Sequence, residues 1–214
     1  MATFGRMRLD GDAARRVVAD AWERWARRCT QLTAEEWAAP TRCDGWNVAA
    51  LLAHVTPEPA MFDRFADAVI DAPAEITDAA VLLRRFNEPD GAANTQADSL
   101  AEAAVSQAAA LTPQTAADRF TECALILRAT PMSADTTIAY PFVGSTTLAV
   151  VAETALMEAT VHLLDLADAV GDVEPSTEAL TATRDLLIAV PDPTAAIDVL
   201  AGRSAPEAAV PANR

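Results

Sequence analysis

The chain has two histidines, His54 and His162, and both lie among apolar residues. Glu158 precedes His162 by four residues, so the two side chains lie one turn apart on the same face if this segment is helical. A carboxylate on an apolar face is unfavourable unless a cation or a hydrogen-bond donor meets it. Because a carboxylate and an imidazole one turn apart can supply two ligands to one divalent ion, the pair points to metal chemistry.

His54 has the same character, since Leu51 and Val55 flank it on one helical face. With Glu158 and His162 it makes a set of two histidines and one glutamate. Such a set leaves a fourth position open for water or substrate, as in catalytic zinc sites. We therefore predict one divalent metal ion, bound by these three residues. Zinc fits this set of nitrogen and oxygen ligands best, and the same ligands do not exclude nickel, manganese or iron. The alternative for each histidine is an ordinary hydrogen-bonded core residue.

Asp165 follows His162 by three residues. We expect its carboxylate to orient His162 or a bound water without binding the metal itself, although an ordinary polar residue near a helix end fits the pattern equally well. The residues alone identify no catalytic group and no cofactor-binding residue. The three cysteines stand far apart without a C-x-x-C pair, so no cysteine-rich zinc site is predicted. They are Cys29, Cys43 and Cys123.

Helices are the elements that must position these residues. The longest predicted helices cover residues 9–32 and residues 147–170, and Gly171 follows the second at its C-cap position. Capping boxes are predicted at residues 33–36 and 99–102. Residues 73–91 are expected to be irregular or weakly helical, and residues 130–145 a loop with some strand character. Further helices are predicted over residues 46–54, 60–70, 99–112, 115–129, 176–189 and 194–200.

This pattern predicts an all-α fold, for which a helix bundle is the default packing. We expect a single domain over residues 1–203 and a frayed tail over residues 204–214. Pro57 and Pro59 must kink or interrupt the second helix just after His54, because proline has no amide hydrogen to donate. The bend is expected to turn nearby apolar side chains toward a substrate pocket beside the metal. These are Met61, Phe62 and Phe65.

Charge and composition limit the function classes. Of 214 residues, 31 are acidic and 16 basic, all of the basic ones arginine, which gives a net charge of −15. So negative a chain is not expected to bind nucleic acid or anionic membranes. Residues 145–171 form the longest apolar stretch, but it carries several ionisable groups and is not expected to span a membrane. Residues 1–10 lack the apolar region of a secretory signal, so none is expected. We expect a cytoplasmic protein, monomeric or homodimeric, that acts on a small molecule.

Two segments resemble a known family. Residues 41–54 read TRCDGWNVAALLAH, and residues 158–171 read EATVHLLDLADAVG. In this order they are similar to the signatures of the DinB-like proteins, and more narrowly of the mycothiol-dependent maleylpyruvate isomerase family of actinobacteria. The resemblance implies a four-helix bundle, here with additional short C-terminal helices. It also implies a metal held by His54, Glu158 and His162, and a long connection between the third and fourth helices over residues 112–145.

The resemblance further implies a function. Mycothiol, a low-molecular-weight thiol, would be activated at the metal and attack an electrophilic small molecule, as in a transferase or isomerase. Two alternatives remain open from the residues. One is a metal-dependent hydrolase whose nucleophile is metal-activated water. The other is a non-catalytic helical module with a structural metal, which would require a fourth protein ligand.

Overall fold

A computed structural model describes residues 11–130, 133–141 and 143–209 of the chain. Within these ranges the protein is all-α, which confirms the predicted class, apart from one two-stranded sheet. The predicted start of the first helix at residues 9 and 10 lies outside the described residues. The helices in chain order are α1 (Gly11–Cys29), α2 (Ala34–Ala38), α3 (Val48–Val55), α4 (Ala60–Asp67), α5 (Ala79–Phe86), α6 (Ala92–Thr95), α7 (Ala97–Ala108), α8 (Pro113–Ala129), α9 (Leu148–Val170), α10 (Thr177–Ala189) and α11 (Pro193–Leu200).

Helices α1, α3, α8 and α9 enclose one apolar core, as expected for a four-helix bundle. At its centre Trp25 of α1 stacks on Phe120 of α8, with ring centroids 5.5 Å apart. The indole nitrogen of Trp25 donates a hydrogen bond of 3.0 Å to the carbonyl oxygen of Ala159, which ties α1 to α9. Both rings are fully buried. The stacked rings join α1 to α8, and the hydrogen bond from the indole joins the same helix to α9.

Helix α9 is buried on more than one side, which explains its nearly continuous apolar sequence. Leu156 and Leu163 face the bundle core, whereas Val150 and Met157 pack into a second core with α5 and α10. Thr147 caps the start of α9 by accepting a hydrogen bond from the amide of Val150. Gly171 ends the helix with a φ of 69°, a left-handed conformation that glycine adopts without steric penalty. The predicted bounds of this helix are confirmed.

Arg28 joins α1 to the end of α9. Its guanidinium, 3 % exposed, donates hydrogen bonds to the carbonyl oxygens of Val170 and Gly171 and pairs with Glu36 of α2 at 2.5 Å. Glu36 also completes the predicted capping box with Thr33, which the structure confirms. One buried cation therefore ties three helices together near the end of α9.

The small sheet leads into α9. Strand β1 (Thr137–Tyr140) pairs antiparallel with β2 (Gly144–Thr147), in a register that places Ile138 opposite Thr146. The strand character expected in residues 130–145 is thus present, although β2 runs on to the residue that caps α9. Residues 131, 132 and 142 of this segment lie outside the described residues.

Three local predictions were wrong. Residues 73–91 contain a regular helix, α5, capped by the side chain of Asp78. Helix α7 begins at Ala97, so Ser99 lies inside it and bonds back to the carbonyl of Gln96 instead of capping the helix. The connection between the third and fourth helices is not residues 112–145, because α8 occupies half of that range and contributes to the bundle core.

Candidate metal centre

Helices α3 and α9 bring the three predicted ligands together. His54 lies in the last turn of α3, whose first turn is capped by the side chain of Asn47. Glu158 and His162 lie one turn apart in the middle of α9, against which α3 packs. One possible ligand atom from each of the three residues lies within 4.8 Å of the other two. The predicted group is therefore assembled from residues far apart in sequence.

The spacing of these atoms suits a zinc ion. The Nε2 atom of His162 lies 3.3 Å from Oε2 of Glu158. In a tetrahedral site with bonds of about 2.0–2.1 Å, neighbouring ligand atoms lie about 3.3 Å apart. The donors are two imidazoles and a carboxylate, which zinc accepts. The residues present thus fit the metal that the sequence predicts, and the ligand assignment itself stays a prediction.

Asp165 is in hydrogen-bond contact with His162. Its Oδ2 atom lies 2.7 Å from Nδ1 of His162, and the aspartate side chain is 7 % exposed. When Nδ1 carries the proton and donates it to this bond, Nε2 is the nitrogen with a free lone pair, and Nε2 is the atom beside Glu158. The structure therefore has the contact that the orienting role predicted for Asp165 requires.

A loop over residues 40–47 supplies further contacts to this centre. Arg42 Nε donates a hydrogen bond of 2.6 Å to Oδ1 of Asp165, and Cys43 Sγ lies 3.3 Å from Oδ2. Gly45, with a φ of 74°, makes the turn that presents Trp46. The indole ring of Trp46 lies 4.9 Å from the ring of His54, centroid to centroid. Sequence reasoning missed the contacts of Arg42 and Cys43, for which the only signal was their place in the segment that resembles the family signature.

A second group of possible ligands is better explained as a hydrogen-bond network. Cys43, His162 and Asp165 also bring ligand atoms within 4.8 Å of one another. Two of these atoms are only 2.7 Å apart, which is a hydrogen-bond distance and too close for two ligands of one zinc ion. The guanidinium of Arg42 adds a positive charge at the same carboxylate. These contacts occupy the Nδ1 side of His162, whereas its Nε2 side faces Glu158.

The two histidines differ in electrostatic environment when no metal is present. Burial lowers the pKa of His162, but hydrogen bonds with Asp165, Cys43 and Glu158 outweigh it and raise the pKa to about 11. The pKa of His54 is lowered, first by desolvation and then by the charge of His162. His54 therefore offers a neutral nitrogen near pH 7, whereas His162 is held as a cation between two carboxylates. A metal ion that binds His162 would displace the proton on its ring nitrogen.

The ligand group lines a cleft of about 1800 Å³. Two of the three apolar residues predicted for the pocket wall, Met61 and Phe65, line it. Phe62 instead packs edge-on against Trp22, with ring centroids 6.5 Å apart. Most of the remaining wall is apolar, and the arginines that line the cleft are Arg64, Arg119 and Arg184.

Comparison with known proteins identifies a family. The family model described as the mycothiol maleylpyruvate isomerase N-terminal domain matches residues 18–167, well over half of the chain. The match includes the ligand group, the loop over residues 40–47 and Asp165, and it confirms the family resemblance. A search of curated proteins and a search of solved structures each found no match. No helix in the described part of the chain is long and apolar enough to span a membrane.

Proposed function

The chain belongs to the family of the mycothiol maleylpyruvate isomerase N-terminal domain, and from that premise we propose that it is an enzyme that activates mycothiol at a zinc site for attack on an electrophilic small molecule. His54, Glu158 and His162 would hold the metal. The observation that carries the proposal is the convergence of these three side chains from two helices on the wall of one cleft.

A divalent metal with an open position lowers the pKa of a coordinated water or thiol, so that the deprotonated form exists near neutral pH. The side chains of the chain would fix the reaction around it. Asp165, itself held by Arg42, keeps Nε2 of His162 turned toward Glu158. Among the described residues the group contains three donors, which favours an open fourth position and therefore catalysis over a structural site.

The reaction we propose adds the thiol to an activated alkene or an epoxide. A carbon–sulfur bond forms, the displaced electron pair moves to the neighbouring carbon or oxygen atom, and the proton of the thiol ends on that atom. The product is an S-conjugate, and elimination of the thiol from such an adduct would give an isomerised alkene. None of the protein cysteines needs to take part in these steps.

The cleft supports a reaction of two molecules. Small-molecule sites commonly measure roughly 300–1000 Å³, and this cleft, at about 1800 Å³, is larger than one such ligand requires. Apolar residues from α4 and α10 line the approach, among them Met61 and Leu187. Such walls exclude water from the neighbourhood of a thiolate and favour its attack on carbon.

The test combines metal analysis with turnover. We expect about one zinc ion per chain in the wild-type protein and much less in His162→Ala and Glu158→Ala. Asp168→Asn, an exposed position on the same helix, is the control and should keep its metal. The wild-type protein is then incubated with a panel of epoxides and activated alkenes, with and without mycothiol.

The possible outcomes separate the candidate functions. Turnover that needs both metal and mycothiol supports the proposal. Turnover that needs the metal but no thiol would replace it with metal-dependent hydrolysis. Equal metal content in the wild-type protein and the His162→Ala variant would overturn the ligand assignment.

A further inference from the structure

The two histidines of the metal centre are held in different ways. His162 has a hydrogen bond of 2.7 Å from Nδ1 to Asp165, whereas His54 has no hydrogen bond among the described residues. Histidine ligands in proteins usually donate their second ring nitrogen to a carboxylate, a carbonyl or a water, which fixes the orientation of the ring. The contacts that the described residues make with the His54 ring are of another kind.

Two aromatic rings contact His54 instead. The indole ring of Trp46 lies 4.9 Å from the imidazole of His54 at an angle of 49°. The ring of His162 lies 5.2 Å from that of His54 at 87°, an edge-to-face contact, and 6.5 Å from the indole, so the three rings form one cluster. Ring contacts at these distances are attractive and restrict how the imidazole can turn.

The backbone around Trp46 is itself fixed. The carbonyl oxygen of Trp46 accepts hydrogen bonds from both the amide and the hydroxyl of Thr41, and the amide of Trp46 donates to the carbonyl of Cys43. Gly45 provides the turn that these bonds close. The indole is therefore presented from a rigid loop, and α3 begins directly after it at Val48.

We propose that Trp46 is the positioning residue of His54, and that its indole ring does for this ligand what Asp165 does for His162. The inference rests on the metal site of the proposed function. Ring contacts are weaker and less directional than a charge-assisted hydrogen bond. The centre thus has one firmly oriented histidine and one that turns more easily.

The affinity for zinc, measured by competition with a chelator, tests this inference. Loss of a hydrogen-bonded partner of a ligand weakens metal binding by roughly 10–100-fold. Because ring contacts are weaker, we expect a loss at the lower end of this range, roughly 10-fold, for Trp46→Ala and a much smaller one for Trp46→Phe, which keeps a ring. Trp37→Phe is the control, because Trp37 packs against the bundle core and is in ring contact with neither histidine in the described structure.

A double-mutant cycle separates positioning from general damage to the fold. In a His54→Ala background, Trp46→Ala should weaken zinc binding no further, because the residue it orients is gone. In the metal-free protein, loss of the indole ring in Trp46→Ala should shift the NMR signals of the His54 imidazole, whose ring lies 4.9 Å away, more than those of the His162 imidazole, whose ring lies 6.5 Å away. Because the chain has two histidines, the spectrum of the His54→Ala variant assigns the imidazole resonances of both.

Two results would overturn the inference while leaving the proposed function intact. One is wild-type zinc affinity in Trp46→Ala. The other is an equal loss of affinity from this substitution with and without His54, which would mean that Trp46 acts on the fold and not on the ligand. If the wild-type protein binds no zinc, the proposed function itself fails, and the positioning role fails with it.

Discussion

His162 and Asp165 lie one helical turn apart on α9, with Nδ1 of the imidazole 2.7 Å from Oδ2 of the carboxylate. Because residues three apart on a helix are neighbours on its surface, helix geometry alone brings these two side chains within hydrogen-bond distance. Arg42 then binds the other carboxylate oxygen from a loop 123 residues away in sequence. Local helix geometry and one long-range ion pair together account for the contacts on the Nδ1 side of His162.

The first prediction concerns Asp165→Asn, which keeps the shape of the side chain but removes its charge. We expect zinc affinity to fall by roughly 10–100-fold, the range seen when a partner of a histidine ligand is lost. The measurement is chelator competition at pH 7.5. Asp168→Asn on the exposed side of the same helix should bind zinc as the wild-type protein does. Unchanged affinity in Asp165→Asn would show that His162 needs no orienting carboxylate.

The second prediction concerns acid stability and the buried guanidinium of Arg28. The backbone amide of Thr33 and the Arg28 side chain lower the pKa of Glu36 to about 2, from a usual value of 4.5. A carboxyl group whose pKa is lower in the folded than in the unfolded state stabilises the folded state. This contribution is fully present above the pKa of the unfolded state and is lost as the pH falls through the pKa of the folded state. We therefore expect Glu36→Gln to be less stable than the wild-type protein at pH 7, and the difference to narrow below pH 4.5 and vanish near pH 2.

Urea unfolding midpoints measured between pH 2 and pH 7 give this difference directly. Glu35→Gln is the matched control, because Glu35 is the exposed neighbour in the same helix and has no ion pair in the described structure. Its difference from the wild-type protein should be small at every pH. A gap between Glu36→Gln and the wild-type protein that stays constant down to pH 2 would contradict the assignment to the charge of Glu36.

The sequence predicted those parts of the fold and site that local chemistry determines. The bounds of α9, its glycine C-cap and the capping box at Thr33 follow from neighbouring residues, and so does the pairing of Glu158 with His162. The contacts of Asp165 with Arg42 and Cys43 could not be predicted in this way, because they join residues more than 120 positions apart. Which residues meet across α3 and α9 depends on bundle packing, which a single sequence does not specify.

The errors have the same physical origin. Helix α5 was missed because prolines and acidic residues surround a short apolar segment, whose helix is stabilised by packing against α9 and α10. Ser99 has the residue types of a capping box, but the helix starts two residues earlier and its hydroxyl bonds to Gln96. In both places tertiary packing outweighs the local signal.

The third prediction concerns the thiols. Cys29 and Cys123 are fully buried, and desolvation raises their pKa values to about 12 and about 11. Cys43 is half-buried and lines the cleft. We expect iodoacetamide at pH 8 to alkylate one thiol per folded chain, and all three after denaturation, as measured by intact mass. Because the thiolate is the reactive form, raising the pH to 9 should not recruit the two buried thiols. Cys43→Ser should remain unlabelled while folded, and a second rapid alkylation would contradict the burial of the other two.

The fourth prediction concerns the segment between α3 and α4, where the chain is interrupted directly after the ligand His54. Helix α3 ends at Val55, and α4 begins at Ala60 after Pro57 and Pro59. Proline has no amide hydrogen, so the carbonyl groups of Ala53 and Val55 cannot receive the helical bonds that would continue α3 through this point. The interruption sets the direction of α4, which carries two side chains of the cleft wall, Met61 and Phe65.

Replacing both prolines by alanine restores the missing donors and allows α3 to extend toward α4. His54 precedes the break, so we expect zinc content to be unchanged. Met61 and Phe65 would move, so the ratio of kcat/KM for a bulky electrophile to that for a small one should change several-fold. Pro113→Ala is the control, because Pro113 lies at the first position of α8, where no amide donor is needed, and does not line the cleft. If the double variant keeps both its zinc and the wild-type ratio across a substrate series, the interruption shapes the fold of this segment but not the choice of substrate.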